Sequence, residues 1–260
     1  MTSALTGQHP TQSPPVPPDE LSDLASARSR IYRVLGTIYV QSPNEALLSD
    51  LLEEERFPSP ASLRRHGVLP TRLTGGLRAI RTFANGLSFD AIGKLTEALS
   101  VEYVRLFRGV KHGYGPPPPY ESVYLGEGVV FGQTTSAVRR EYEESGFMLA
   151  EHQAGEPPDH IGYELQFMHC VCAGEAEAWR VGHRDKAWAS LNLERAFLER
   201  HLRRWVTEFC DNVRMYDRLG FYRSWADVTE GWIGFDYQLI GDYLRDIKSD
   251  DGDVLPETED

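Results

Sequence analysis

The chain has 260 residues, 41% of them hydrophobic and 25% charged, with 27 Lys and Arg against 39 Asp and Glu and a formal net charge of −12. Such values belong to soluble globular proteins and exclude a chain disordered throughout, while the absence of a glycine period excludes a collagen-like one. The length holds one large domain or two small ones.

In chain order, Thr11 to Pro18 is Pro-rich and is expected to be an extended arm, part of a disordered stretch over residues 1–20. Leu21 to Leu52 reads as helix, with Ile31, Leu35, Ile38 and Tyr39 at three- and four-residue spacing. Ser42-Pro43-Asn44 breaks it and starts a second helix with Ala46, Leu47 and Leu51 on one side. Phe57-Pro58-Ser59-Pro60 is a loop, and Leu77 to Phe83 is helical again. Ile92 to Phe107 is expected to carry an apolar stripe of Val101, Val104 and Phe107, with Leu106 beside them.

Gly109 to Gly132 is the least helix-like part, because Pro116-Pro117-Pro118-Pro119 cannot lie inside a helix. Thr134 to Gly146 is helical, with Thr134 or Thr135 as N-cap and Gly146 as stop. Glu151 to Asp159 is a loop, and a long helix follows with Ile161, Leu165, Met168 and Cys172 on one face. Leu193 to Val213 forms a further helix burying Phe197, Leu202, Trp205, Val206 and Phe209, and Phe221 to Ile247 supplies the last one or two. No alternation marks a substantial sheet. The expectation is an all-α fold, a single bundle of roughly ten helices over 21–248, with a disordered acidic tail at 249–260.

Several function classes are disfavoured. No apolar run reaches the roughly 18 residues that a membrane span requires, and Met1 to Glu20 has neither the base nor the apolar core of an export signal. The tail at 249–260 has six acids and no base, and residues 21–248 hold 27 bases and 31 acids. No basic face stands out for nucleic acid. The cysteines, Cys170, Cys172 and Cys210, suit reduced thiols in the cytoplasm better than a disulfide framework.

Candidate chemistry is sparse. Gly126 to Gly132 superficially suggests a phosphate loop, but the dinucleotide fingerprint requires a βαβ unit, and helices surround this turn. His169-Cys170-Val171-Cys172 is read as buried structural thiols, since CxC on a helix points its thiols to different sides and no second Cys/His pair accompanies it. There is no HExxH, GxSxG or P-loop, and nothing argues for catalysis or a metal. What remains is Glu156-Pro157-Pro158-Asp159-His160-Ile161-Gly162-Tyr163-Glu164, a rigid loop running into a helix. Asp159 there stands where a carboxylate can cap the helix and meet its dipole. The structural alternative is a capping Asp and a surface His; the functional one is a fixed carboxylate and imidazole facing a peptide with arginines and apolar residues.

EPPDHIGYELQFM, from Glu156 to Met168, resembles the signature of the TorD, DmsD and NarJ family of cytoplasmic redox-enzyme maturation chaperones. Upstream, Tyr103 to Gly109 followed by Pro119-Tyr120-Glu121-Ser122-Val123-Tyr124 is similar to the family's YxxLFxG…PYESVY pattern. Weaker similarity at Arg30 to Leu35 and Phe197 to Trp205 extends the resemblance over about Leu21 to Ile247.

The resemblance implies a TorD-like all-helical fold and a chaperone rather than an enzyme. Its partner would be the precursor of a molybdopterin-dependent oxidoreductase catalytic subunit, bound through its twin-arginine signal peptide and its body until cofactor insertion. Carried over, Pro158, Asp159, His160 and Gly162 match the binding motif, and Tyr120, Glu121, Ser122 and Tyr124 the second segment. Asp159 or Glu156 would pair the client's guanidinium groups. Tyr120 and Tyr124 would offer apolar or cation–π surface, and His160 would orient the loop or confer pH sensitivity. No cofactor of its own is expected; guanine nucleotide binding has been proposed within the family, and the Gly126 to Gly132 turn alone does not carry it here. The chain is expected to act as monomer or homodimer, without membrane insertion or nucleic acid. The competing classes are a nucleotide-dependent enzyme using the glycine turn, a thiol enzyme using Cys170 and Cys172, and a resident assembly subunit of a nitrate-reductase- or dimethyl-sulfide-dehydrogenase-type complex.

Overall fold

A computed structural model describes residues 17–52, 63–64, 67–85, 92–108, 115–127, 131–149 and 155–251. Ten helices run through them: α1 (Pro18–Val40), α2 (Glu45–Leu52), α3 (Thr71–Asn85), α4 (Ile92–Phe107), α5 (Glu121–Tyr124), α6 (Gln133–Glu144), α7 (Ile161–Arg180), α8 (Arg184–Arg200), α9 (Leu202–Tyr216) and α10 (Phe221–Asp251). No strand occurs among the described residues, so the fold is the all-α bundle expected. Helix extends past the anticipated limits of 21 and 248. Pro18 suits the first turn, where its missing N–H is not needed, and Asp19 and Glu20 meet the positive end of the dipole. Residues 1–16, 252–260, the Phe57 to Pro60 loop and most of Glu151 to Gly155 lie outside the described residues.

The most extensive helix pairing is α1 against α7. It follows from the periodic apolar faces: Ile31, Tyr32, Leu35, Ile38 and Tyr39 on α1, and Ile161, Leu165, Met168 and Cys172 on α7, all fully or nearly fully buried. The crossing is close because glycine meets glycine. A Cβ on Gly162 would fall onto Val40 Cγ2 and come within 3.1 Å of the Gly36 carbonyl oxygen. α10 packs along α3, α9 and α8 and contributes Tyr222, Trp225 and Trp232 to an aromatic core shared with Trp205 and Phe209.

One buried ionic centre ties four helices together. Arg28 on α1 donates to Asp236 on α10 at 2.6 Å and to Glu175 on α7 at 2.7 Å, and it also pairs with Glu194 on α8. Tyr32 donates to Asp236 at 2.7 Å. Burial pushes the carboxyls of Glu175 and Glu194 upward against the pull of Arg28.

Several local expectations are corrected. Val101 and Val104 are 68% and 47% exposed, and α4 instead buries Leu99, Glu102, Tyr103, Leu106 and Phe107. Among the described side chains of α2 the buried one is Leu48, while Ala46 is exposed; the Leu51 side chain lies outside them. The helix expected over Leu193 to Val213 is broken at His201, whose φ of −121° and ψ of −93° end α8 and start α9. Thr134 and Thr135 are not the N-cap of α6; Gly132 holds that position, and Thr134 is the second residue of the helix. Gly146 does end α6, with a φ of +80°. Tetraproline stays out of helix, but one turn, α5, forms directly after it. Cys172 and Cys210 are buried as expected, whereas Cys170 is exposed on the other side of α7.

Candidate client-binding site

The two sequence motifs meet. Tyr120 and His160 form an antiparallel bridge, with the Glu121 N–H donating to the Asp159 carbonyl at 2.9 Å and the Ile161 N–H to the Pro119 carbonyl at 3.0 Å. Proline imposes this arrangement on both sides: neither the segment before Tyr120 nor Pro157-Pro158 can be helix interior, so both enter their helices extended.

Side chains reinforce the bridge. Asp159, fully buried, accepts from the Ser122 N–H at 2.9 Å, so it caps α5 rather than its own helix. The cap of α7 is His160, whose Nδ1 accepts from the Gly162 N–H at 3.0 Å. Burial, reinforced by the Arg108 charge, pushes the His160 pKa down to about 3. His160 is therefore a neutral, buried imidazole, not the surface group or pH sensor anticipated. Its ring lies between Tyr120 at 5.3 Å and Tyr163 at 5.2 Å. The Pro158 carbonyl accepts from Tyr142 at 3.0 Å. Gly162 serves the α1–α7 crossing.

Beneath the bridge lies an acidic cluster. Buried Glu121 pairs with His201 Nδ1 at 2.7 Å, and His201 Nε2 lies 3.2 Å from Glu141. Burial opposes a charged His201, but its hydrogen bonds to both carboxylates prevail and raise its pKa to about 9. Burial likewise opposes a charged Glu141, yet bonds from His201 and Arg200 lower it to about 2. Glu164, on α7, accepts from Trp205 Nε1 at 3.3 Å. Its burial, with the charges of Glu121 and Asp159, pushes its carboxyl well above the ordinary range.

Only a few motif side chains reach the surface. Glu156 is 34% exposed; its Oε1 accepts from Arg108 Nη1 at 2.9 Å and its Oε2 from the Tyr120 hydroxyl at 3.0 Å. Partial burial works against its charge, but those two bonds outweigh it and hold the carboxyl below its usual pKa. Tyr124, half-buried, lies over Trp205 at 5.3 Å and Phe209 at 5.9 Å, with its hydroxyl directed to the Pro117 carbonyl at 3.4 Å. Of the nine residues singled out in the sequence, Tyr120, Tyr124 and Glu156 thus offer surface, while Glu121, Ser122, Pro158, Asp159, His160 and Gly162 are buried framework. Sequence reasoning missed Arg108 and Glu164, which lie inside the quoted motifs, and His201, which lies inside a helical pattern without a breaker.

The glycine turn behaves differently from a phosphate loop. Glu127 Oε1 accepts from the Thr134 N–H at 2.9 Å and from its hydroxyl, so the chain's own carboxylate stands at the N-terminus of α6. Gly128 to Val130 lie outside the described residues. Among the described residues no group of three His, Cys, Asp or Glu could hold a metal ion, and no helix is long and apolar enough to cross a membrane.

The fold and site define an all-helical binding protein whose surface polar groups sit on a proline-stiffened bridge. The chain belongs to the nitrate reductase delta subunit family, the NarJ/TorD family of redox-enzyme maturation chaperones, which it matches over residues 70–211. It is 27% identical over 226 residues to the chaperone protein TorD of Shewanella sp. (strain ANA-3), covering 84% of this chain and 96% of that one. With the chaperone protein TorD of Vibrio cholerae (strain O395) it shares 22% over 185 residues, 64% of this chain and 81% of the relative. With that of Vibrio vulnificus (strain YJ016) it shares 27% over 154 residues, 56% and 68%. These relatives are named as chaperones, which agrees with the expectation of a binding protein rather than an enzyme.

Proposed function

We propose that this chain is a system-specific chaperone that binds the precursor of a molybdopterin-dependent oxidoreductase catalytic subunit in the cytoplasm and holds it for cofactor insertion before export. The client is a molybdoenzyme, as the family role has it. The observation that carries the finer reading is the bridge between Tyr120 and His160, which sets Tyr120 against Glu156 at the surface, with Tyr124 one turn further along. Glu156 supplies the carboxylate for an arginine of the twin-arginine signal, and the tyrosines supply ring faces. The buried residues of the two motifs act on the client only through the shape they give this bridge. Ordering a disordered signal costs about 2–5 kcal/mol, so binding is moderate and reversible, as release to export requires.

A gentle pull-down of the tagged chain from its native cytosol, read by mass spectrometry of intact N-termini, tests this. The expected result is a large molybdoenzyme subunit retaining an uncleaved twin-arginine signal. Recovery of the chain in stoichiometric amount with the mature, active enzyme would make it a resident subunit instead.

A further inference from the structure

We propose that Arg108 is an internal stand-in for the client's arginine, occupying Glu156 until a client guanidinium displaces it. This rests on the reading of Glu156 as the carboxylate that receives the client. Of the described acids gathered at the bridge, Glu121, Asp159 and Glu164 are fully buried and Glu141, 16% exposed, is held by His201 and Arg200, so Glu156 is the one most open to an incoming side chain. Both of its oxygens are already occupied, Oε1 by Arg108 and Oε2 by Tyr120. The two occupants are not equivalent. Tyr120 is held by the backbone bridge to His160, and burial beside the Glu156 carboxylate raises its pKa, so it stays a fixed hydroxyl donor. Arg108 sits just past the last residue of α4, its N–H bonded to the Val104 carbonyl, and its side chain, 43% exposed, also lies against the Tyr103 hydroxyl. A long, half-exposed arginine at a helix end swings away at less cost than a tyrosine fixed by the backbone bridge.

Exchange of one guanidinium for another leaves the geometry at Glu156 unchanged, and Tyr120 remains to orient the new pair. The consequence is a threshold. A lone cation gains nothing by replacing Arg108, because the pair it forms equals the pair it breaks. A ligand that also buries apolar surface beside Tyr124 gains the difference. The apparent affinity of every arginine-bearing ligand is its intrinsic affinity multiplied by the fraction of molecules in which Glu156 is uncovered.

The test uses fluorescence anisotropy with a labelled synthetic peptide of two adjacent arginines followed by an Ala- and Leu-rich stretch, titrated with the full chain. Arg108→Gln is expected to tighten binding by up to about fivefold at low salt, the most an exposed pair is worth. Glu156→Gln is expected to weaken it, and Arg108→Gln in the Glu156→Gln background to give no gain. Unchanged or weaker binding by Arg108→Gln, with Glu156→Gln still weaker, overturns the stand-in and leaves the client site in place. Wild-type affinity in Glu156→Gln, or no binding by any of the proteins, overturns the Glu156 site and the stand-in together.

Discussion

Asp159 accepts a hydrogen bond from the backbone N–H of Ser122 at 2.9 Å, across 37 residues of chain and wholly out of contact with solvent. This bond adds to the two backbone bonds that join the motifs and places a buried carboxylate at the start of α5. It also removes Asp159 from any direct encounter with a client's arginine. Asp159→Ala should lower stability by about 2 kcal/mol, the penalty for leaving a buried donor unsatisfied, read as a shift in the urea midpoint. Any weakening of client binding should then be insensitive to salt, in contrast to Glu156→Gln, whose effect should fade as salt screens it. A salt-dependent binding loss in Asp159→Asn without a stability change would return Asp159 to the surface chemistry first expected of it.

Arg28 is the single cation among three buried acids. Arg28→Met should cost about 3–5 kcal/mol at neutral pH, because it strands charges that the interior cannot solvate. Burial already raises the pKa of Glu175 and Glu194 in the folded chain. An acid whose folded pKa lies above its unfolded value binds more protons when folded, so stability rises as pH falls. The penalty should therefore shrink toward pH 5. Urea titrations of both proteins at pH 5 and pH 8 check this, and an equal loss at both would count against stranded carboxylates.

His201 has the opposite kind of leverage, holding α5 and α6 to the α8–α9 break. Its pKa is raised to about 9 by its two carboxylate partners, against the burial that opposes it. The folded chain thus binds a proton more tightly than the unfolded one. The contribution is complete below about pH 6.5, the unfolded histidine value, and is lost as pH rises through about 9. His201→Gln should remove this alkaline slope, which amounts to roughly 3 kcal/mol. Denaturant midpoints from pH 6 to 10 would show it, and identical slopes in both proteins would exclude the assignment.

Gly162→Ala should drive α1 away from α7, since the added Cβ falls onto Val40. Overpacking of this kind costs about 1–3 kcal/mol, measurable by thermal unfolding. A full loss of client binding with an unchanged melting temperature would instead show that Gly162 touches the client itself.

Much of the fold was legible in the residues because helical periodicity is a local signal. Ile31, Leu35, Ile38 and Tyr39 announced the buried face of α1, and Ile161, Leu165, Met168 and Cys172 that of α7. The stripe of Val101 and Val104 misled, because Glu102 and Tyr103 on the neighbouring face are drawn inward by partners elsewhere in the chain. Glu102 accepts from Arg105 and from the Arg218 N–H, and Tyr103 donates to the Tyr39 carbonyl. The break at His201 was equally invisible: the carboxylates it pairs with there, Glu121 and Glu141, lie about 60 to 80 residues away in the chain.

The sequence by itself determined the helical class, the proline-stiffened segments and the two motifs that tie the chain to its family. Those features reside in short windows whose periodicity, turn chemistry and order can be read without neighbours. Only the tertiary structure decided which motif side chains face a client. Residues in a loop have no period to assign them a face, and Glu156 and Asp159, three positions apart, end on opposite sides of the bridge. One is half-exposed with Arg108 and Tyr120; the other is sealed beneath Ser122. The pairing of Tyr120 with His160 made that division, because closing the bridge buries one edge of the loop and leaves the other to solvent.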